Sequence, residues 1–221
     1  MTADIHELNV PMDEAAVRRL RAGDAVRLSG TVLTARDAAH TYIVNDLLKR
    51  EPVGADRAVR DRLAGLLAGG CIYHCGPVMR PRPEGGWECL AGGPTTSIRE
   101  EPYAAEVIRG FGLRGVIGKG GMGPRTLAAL RECGAVYFHA VGGAAVVAAA
   151  AVVRVVDVIR PDFGMPEAMW VLELKDFPVL VTMDTYGRSL HAEILQAAEQ
   201  RLAEILGMPV PSLFRPDDRP A

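Results

Sequence analysis

The chain has 221 residues, of which 49% are hydrophobic and 24% are charged, and its formal net charge at pH 7 is −2. This length fits one domain over residues 1–208, followed by a proline-rich, extended tail over residues 209–221. Because the charge is nearly balanced and no dense basic run carries interleaved aromatic residues, the composition argues against a nucleic-acid partner.

The apolar runs and the N-terminal segment do not predict a membrane or secretory protein. The longest apolar run, Ala140 to Val153, is shorter than the roughly 20 residues that a bilayer span needs, and it predicts a buried helix. Residues 1–10 lack the basic start and apolar centre of a signal peptide. We therefore expect a cytoplasmic protein without a membrane partner.

Helical and extended patterns alternate along the first half of the chain. They predict, in order, a helix near Asp13 to Arg21, a strand over Ala25 to Leu33, a helix with Asp37 in its first turn, a helix over Asp56 to Ala68 and a strand over Cys71 to Cys75. The turn-rich stretch over residues 76–86 predicts a mobile loop. A further strand follows over Trp87 to Leu90.

The second half continues this alternation. It predicts a helix from Pro102, a strand over Leu113 to Ile117, a helix over Pro124 to Glu132, a strand over Ala135 to Val141, a long helix over Gly143 to Val158, strands over Trp170 to Leu174 and Pro178 to Met183, and a helix over Ser189 to Ile205. Helices that alternate with apolar strands indicate an α/β fold.

The four cysteines, Cys71, Cys75, Cys89 and Cys133, are predicted to be free thiols. Cys71 and Cys75 share a face of their strand but lie too far apart for a disulfide. The sequence contains no CxxC pair, so we expect no metal site on this chain.

A glycine-rich turn lies between a predicted strand and a predicted helix. Gly118, Gly120 and Gly123 satisfy G-x-G-x-x-G, but no carboxylate follows at the spacing that a dinucleotide site requires. The turn is better interpreted as an anion cradle at a helix N-terminus, to which Lys119 adds a cation. An NAD-dependent enzyme remains a further alternative.

Two arginines suit the forked recognition of a carboxylate, namely Arg36 and Arg99. Asp37 and His40 share a helix face and are predicted to form a support pair that holds Arg36, with a plain helix-face role for His40 as the alternative. Thr95 lies in a Gly-Pro-Thr-Thr-Ser stretch, which by itself is typical of a capped turn.

Four runs carry a resemblance to a known family. They are Thr34 to His40, Gly93 to Arg99, Gly118 to Gly123 and Gly164 to Glu167. In their order and residue identities they resemble the beta subunit, equivalent to the C-terminal domain, of class I iron–sulfur fumarate hydratases and the related L-tartrate dehydratases. The resemblance extends from about Val10 to about Leu206 and implies a swivelling β/β/α domain with a mixed sheet and flanking helices.

The resemblance also implies roles for individual residues. Thr95 matches the base that removes a proton from the substrate, and Arg36, Arg99 and Lys119 match residues that hold it. The supporting positions would be Asp37, His40, Gly118 and Gly120. The substrate would be a small dicarboxylate, fumarate or malate in the first instance.

The family's partner is a separate alpha subunit. It supplies three cysteines to a four-iron, four-sulfur cluster, whose open iron acts as a Lewis acid, and the carboxylate that activates the threonine. The resemblance therefore implies a chain that is inactive alone, binds no cluster and assembles as a dimer of heterodimers.

The chain departs from the family run beside Arg99. Ile98 precedes this arginine and Glu100-Glu101 follows it, where the family usually has Met and one carboxylate. A carboxylate beside Arg99 could pair with it and weaken substrate binding, so L-tartrate dehydration and a non-catalytic anion-binding module without its alpha partner stay open as alternatives.

Overall fold

The computed structural model describes residues 5–209. The strands are β1 Ile5–Val10, β2 Ala25–Thr34, β3 Cys71–Tyr73, β4 Val78–Pro81, β5 Trp87–Ala91, β6 Gly115–Gly118, β7 Val136–His139, β8 Val152–Ile159 and β9 Met169–Met183. The helices are α1 Glu14–Arg19, α2 Asp37–Tyr42, α3 Ala55–Leu67, α4 Glu101–Phe111, α5 Pro124–Cys133, α6 Ala145–Ala150 and α7 Leu190–Leu206. A π-helix over Ile43–Leu48 continues α2, and 3-10 turns cover Ser97–Glu100 and Pro161–Phe163.

Seven of the strands form one mixed sheet in the order β1-β2-β3-β6-β7-β9-β8. The neighbours from β1 to β7 pair in parallel, whereas β9 is antiparallel to β7 and β8. Strand β9 also pairs with β2, so that β2, β3, β6, β7 and β9 close a ring of pairings. The predicted α/β class with a mixed sheet and flanking helices is confirmed.

Alternation along the strands divides the interior into two cores. Ile72 and Tyr137 belong to the core between the sheet and helices α3, α4 and α5, whereas Cys71, Tyr73 and Phe138 face the other core, among the strands. This division follows from the two-residue period of a strand, which sends successive side chains to opposite faces. Because both faces of these short parallel strands are covered, their sequences are almost continuously apolar.

The predicted helix over Gly143 to Val158 is wrong. Helix α6 covers only Ala145–Ala150, and β8 takes up Val152–Ile159 as a partner of β9. Val146 and Val147 are exposed, so the run is not a buried helix either. The physical reason is that β-branched valines favour the extended backbone of a sheet, which the open side of β9 provides.

Two further predictions need correction. The turn-rich stretch predicted as a loop contains β4, which forms an antiparallel hairpin with β5. The two strands predicted near the C-terminus are the single strand β9, which continues past Asp176 with a positive φ of 53°. The proline-rich tail lies outside the described residues from position 210 onward. None of the helices within residues 5–209 is long and apolar enough to span a membrane.

Candidate active site

Two of the predicted site residues, Arg36 and Lys119, lie on segments that follow the carboxyl ends of parallel strands in the main sheet. Arg36 comes two residues after β2, His74 directly after β3 and Lys119 directly after β6. Thr95 joins this edge because its backbone N–H donates to the carbonyl of His74 at 2.7 Å. In α/β folds, both closed and open, ligands bind outside the carboxyl ends of the parallel strands.

Main-chain hydrogen bonds join the segments of Thr95 and Lys119. The N–H of Lys119 donates to the carbonyl of Thr95 at 3.3 Å, and the N–H of Ser97 donates to the carbonyl of Lys119 at 3.0 Å. We call residues 93–97 and 118–121 the threonine–lysine corner. Within residues 5–209 the Thr95 hydroxyl has no hydrogen-bond partner and the Lys119 ammonium no ion pair. Both side chains are therefore free to meet a ligand.

Gly118 permits the close approach of the two segments in this corner. A Cβ at this position would lie 1.9 Å from the Ser97 Oγ and 3.0 Å from the Tyr137 hydroxyl. Gly120 has a φ of +81°, which a side chain would disfavour. The stem of Lys119 passes beside Gly142, where a Cβ would lie 3.2 Å from its Cδ. Three glycines at the ends of two strands, β6 and β7, thus shape the space around the lysine.

Buried side-chain hydrogen bonds connect residues 93–97 of the threonine–lysine corner to strand β7 and to His74. The Tyr137 hydroxyl donates to the Ser97 Oγ at 2.8 Å, and the Ser97 Oγ lies 2.9 Å from the Nδ1 of His74. His74 thus contacts the loop twice, through its ring and through its carbonyl. Desolvation by burial is the main cause that lowers the pKa of His74 well below its usual value, so its ring is neutral.

Arg36 forms an ion pair with a carboxylate from the segment before β9. Its Nε lies 3.3 Å from the Oε1 of Glu167, whose Oε2 accepts the N–H of Ala38 at 3.1 Å. Gly76 leaves room for the guanidinium, because a Cβ there would lie 2.5 Å from Nη1. Glu167 therefore fixes both the arginine and the first turn of α2.

The second arginine has a different partner from the one predicted. Arg99 forms an ion pair with Asp37, in which both side chains are exposed by more than a third. Asp37 therefore does not support Arg36, and the predicted Asp37–His40 support pair is wrong in this respect. The Nδ1 of His40 lies 3.0 Å from the main-chain carbonyl of Arg36, so the hydrogen bond between these two residues involves the Arg36 backbone and not its guanidinium. We call Arg36, Asp37, Arg99 and Glu167 the arginine corner.

The two carboxylates that follow Arg99 turn away from it into the protein. Glu100 is fully buried, with its Oε2 3.4 Å from the Nδ1 of His40. Burial is the largest of the causes that raise the pKa of Glu100 to about 8, followed by the negative charges of Asp37 and Glu167. The ring of His40 lies against that of His74, with 5.1 Å between centroids.

Glu101 occupies the helix N-terminus that was predicted as an anion cradle. Its carboxylate accepts the N–H groups of Gly123 at 2.8 Å, Arg125 at 2.9 Å and Thr126 at 3.1 Å, and the Thr126 hydroxyl at 2.6 Å. The first-turn amides of α5 are thus bound to the protein's own carboxylate. An external anion can reach the Lys119 side chain but not these amides, which corrects the predicted geometry of the cradle.

The cysteines do not fit an iron–sulfur cluster. All four are free; Cys71 and Cys75 are buried, and Cys89 and Cys133 are partly so. Burial raises the pKa of the Cys71 and Cys75 thiols above the usual range and that of Cys89 to about 11, which opposes the thiolate form that ligates metal. Among residues 5–209 no group of three or more His, Cys, Asp or Glu side chains could hold a metal ion.

Several residues of this site received no role from the sequence. Glu167 lies in one of the four runs that carry the family resemblance, and this was the available signal. His74, Ser97 and Tyr137 gave no signal, because a buried histidine, serine or tyrosine reveals its partner only when distant strands meet.

The sequence pattern of the family described as Fumarase C-terminus matches residues 2–194 of this chain. A protein of Geobacillus stearothermophilus named as a fumarate hydratase class I is 46% identical over 197 residues, which make up 89% of this chain and 35% of that protein. A protein of Methanocaldococcus jannaschii named as an L(+)-tartrate dehydratase subunit beta is 37% identical over 194 residues, which make up 87% of this chain and 94% of that protein.

The L(+)-tartrate dehydratase subunit beta of Escherichia coli K12 is 37% identical over 187 residues, which make up 84% of this chain and 86% of that protein. The chain thus spans about a third of the length of the Geobacillus protein and most of the length of the two beta subunits. These matches confirm the resemblance that the four runs predicted.

Proposed function

We propose that this chain, which belongs to the Fumarase C-terminus family, is the beta subunit of a heteromeric hydro-lyase that adds water to, or removes it from, a small dicarboxylate. The observation that carries the proposal is that one hydroxyl and three cations are linked to the same edge of the mixed sheet. Arg36 and Lys119 follow β2 and β6, the N–H of Thr95 donates to the carbonyl of His74 after β3, and Arg99 pairs with Asp37 at the start of α2. The names of the relatives, a hydratase and two dehydratase subunits, support the reaction class.

Each group has a chemical task in this proposal. Thr95 accepts the proton from the carbon of the substrate, once a carboxylate of the partner subunit activates its hydroxyl. Arg36, Arg99 and Lys119 bind the substrate carboxylates, because cations that lose water to a bound dianion give strong, oriented contacts. In support, Asp37 would orient Arg99, His40 would hold the backbone of Arg36, and Gly118 and Gly120 would allow the main chain to turn beside Lys119.

Fumarate and malate are the substrates we favour, and L-tartrate is the alternative. The higher identity to the Geobacillus fumarate hydratase supports the first pair. The match to 94% and 86% of the length of two separate beta subunits supports the second. Both substrates carry two carboxylates, so the same three cations would serve either of them.

The partner in this proposal is an alpha subunit that holds the four-iron, four-sulfur cluster, in a cytoplasmic dimer of heterodimers. The cluster would supply a Lewis-acidic iron for the substrate hydroxyl. No residue set of this chain within positions 5–209 fits a cluster, so its own contribution would be substrate binding and proton transfer.

A dinucleotide enzyme is a weaker candidate. A pyrophosphate on the G-x-G-x-x-G turn would need the amides at the start of α5, and Glu101 already binds those amides. A non-catalytic anion-binding module remains the outcome if no cluster-bearing partner exists.

Co-expression with a cluster-bearing alpha subunit tests the proposal. We expect a stable complex that hydrates fumarate or dehydrates L-tartrate, and the ratio of the two rates identifies the substrate. The chain purified alone serves as the control and should be colourless and inactive. Iron–sulfur absorbance in this chain alone would overturn the heteromer, and a brown complex inactive on both substrates would overturn the hydro-lyase.

A further inference from the structure

Glu100 is an unusual group to find beneath a dicarboxylate site. Its side chain is 0% exposed, and neither carboxyl oxygen has a hydrogen-bond partner among the described residues. The Nδ1 of His40 lies 3.4 Å from its Oε2. A buried carboxylate without hydrogen bonds is strongly disfavoured, so the burial itself favours the neutral acid.

Charged groups from several elements face Glu100. Two of them are carboxylates, Asp37 from α2 and Glu167 from the segment before β9. The ring of His40, also from α2, is the titratable group beside them. Asp37 and Glu167 raise the pKa of Glu100. The guanidinium groups of Arg99, in the same 3-10 turn, and of Arg36, after β2, lower it. The pKa of His40 is lowered to about 4 by burial, so His40 cannot neutralise an ionised Glu100 near pH 7.

We propose that Glu100 carries a proton in the ligand-free enzyme and that a bound dicarboxylate holds this proton in place, so that Glu100 sets how much positive charge Arg36 and Arg99 offer the substrate. This inference rests on the proposed function, because it needs a dicarboxylate between the two arginines. When Glu100 is a neutral acid, it does not attract the two guanidinium groups, and their positive charge acts on the ligand alone. As a carboxylate, it would compete with the ligand for that charge.

The coupling has a definite sign. A dicarboxylate on Arg36 and Arg99 adds negative charge near Glu100 and cancels the arginines' field, and both effects favour the protonated form. Binding therefore takes up protons at pH values around the ligand-free pKa of Glu100, which is raised to about 8. By linkage, affinity is constant well below that pH and falls as the pH rises through it.

Calorimetric titration of the assembled alpha–beta complex with succinate tests this coupling. Succinate has two carboxylates but neither the hydroxyl nor the double bond of the substrates, so it is bound without turnover. Titrations at pH 8 in two buffers of different ionisation enthalpy give the number of protons taken up. The wild type should take up a fraction of one proton, and its dissociation constant should rise by up to about tenfold per pH unit above pH 8.

Glu100→Gln keeps the shape and removes the titration. This variant should bind succinate with no proton uptake and with a dissociation constant that is independent of pH between 7 and 9. Glu132→Gln is the matched control, because Glu132 lies on the exposed side of α5 and pairs with Arg109; it should behave as the wild type. Glu100→Met is the second variant if the glutamine variant fails to fold, and it should likewise abolish uptake.

The outcomes separate this inference from the proposed function. Succinate binding without proton uptake in the wild type, or uptake that persists in Glu100→Gln, overturns the inference and leaves the hydro-lyase intact. A complex that neither binds succinate nor turns over fumarate or L-tartrate at any pH overturns the proposed function, and the inference falls with it.

Discussion

The threonine–lysine corner and the arginine corner are fixed by different kinds of interaction. In the first, backbone hydrogen bonds of Thr95, Ser97 and Lys119 hold the two segments, and within residues 5–209 the Thr95 hydroxyl has no hydrogen-bond partner and the Lys119 ammonium no ion pair. In the second, carboxylates of the same chain hold the arginines, Glu167 on Arg36 and Asp37 on Arg99. One corner is ordered by its main chain and the other by its side chains.

This difference assigns different costs to ligand binding. A carboxylate that meets Lys119 displaces only water, whereas a carboxylate that meets Arg36 or Arg99 shares the cation with an existing anion. Partly exposed ion pairs contribute little to stability. Because Arg99 is about half exposed, weakening its pair with Asp37 should therefore cost little binding free energy. Substitutions in the first corner should therefore change function more than those in the second.

Thr95→Val should give the largest effect. The valine keeps the shape and removes only the hydroxyl, so substrate should still bind while proton transfer fails. We expect kcat of the assembled enzyme to fall by roughly 10²–10⁴-fold with little change in KM, as for loss of a general base. Thr96→Val, at the exposed neighbouring position, is the control. If Thr95→Val turns over and exchanges solvent deuterium at the wild-type rate, Thr95 is not the base, and the base would be a residue of the partner subunit.

Lys119→Met should come second. The methionine retains most of the apolar stem beside Gly142 and removes the ammonium. Loss of one partner from a desolvated ion pair costs on the order of 2–5 kcal/mol of binding, measured as an increase in KM and in the succinate dissociation constant. Lys175→Met, on an exposed position of β9, should leave both unchanged. If the two variants behave alike, Lys119 does not contact substrate.

Gly118→Ala tests whether close main-chain packing holds the threonine–lysine corner. A methyl group would overlap the Ser97 Oγ, which is itself bound to His74 and Tyr137. Overpacking of this kind costs about 1–3 kcal/mol of unfolding free energy, measurable by urea denaturation of the isolated chain. Gly65→Ala, on an exposed position of α3 with open space around its Cβ, should be neutral or stabilising. Equal stability of the two variants would contradict the packing argument.

Glu167→Gln and Asp37→Asn compare the two arginine pairs directly and should give the smallest effects. Glu167 also holds the first turn of α2 through Ala38, so its loss should misorient Arg36 and raise KM by about fivefold, equivalent to roughly 1 kcal/mol. Asp37→Asn breaks an exposed pair worth at most about 1 kcal/mol and frees Arg99, so KM should stay within about twofold or decrease. A larger KM effect from Asp37→Asn than from Glu167→Gln would reverse this ranking.

Much of the local structure was predictable because its causes are local. Pro102 and Pro124 lie in the first turns of α4 and α5, where a missing N–H costs nothing, and Gly134 ends α5 in the left-handed conformation that glycine adopts freely. The order of the four runs was enough to indicate the family. The helix predicted over Gly143 to Val158 failed because an isolated apolar run does not say whether a strand is available to pair with it.

The sequence by itself determined the fold class, the positions of most helices and strands, and the family to which the chain belongs. Only the tertiary structure decided which carboxylate meets which cation. Asp37, Glu100, Glu101 and Glu167 all lie near an arginine or a helix start, yet the first and last hold arginines, Glu101 caps α5, and Glu100 is buried against His40. These choices depend on distances between segments that are far apart in sequence, such as those of Ala38 and Glu167, 129 residues apart, and the distances are fixed only when the strands have come together.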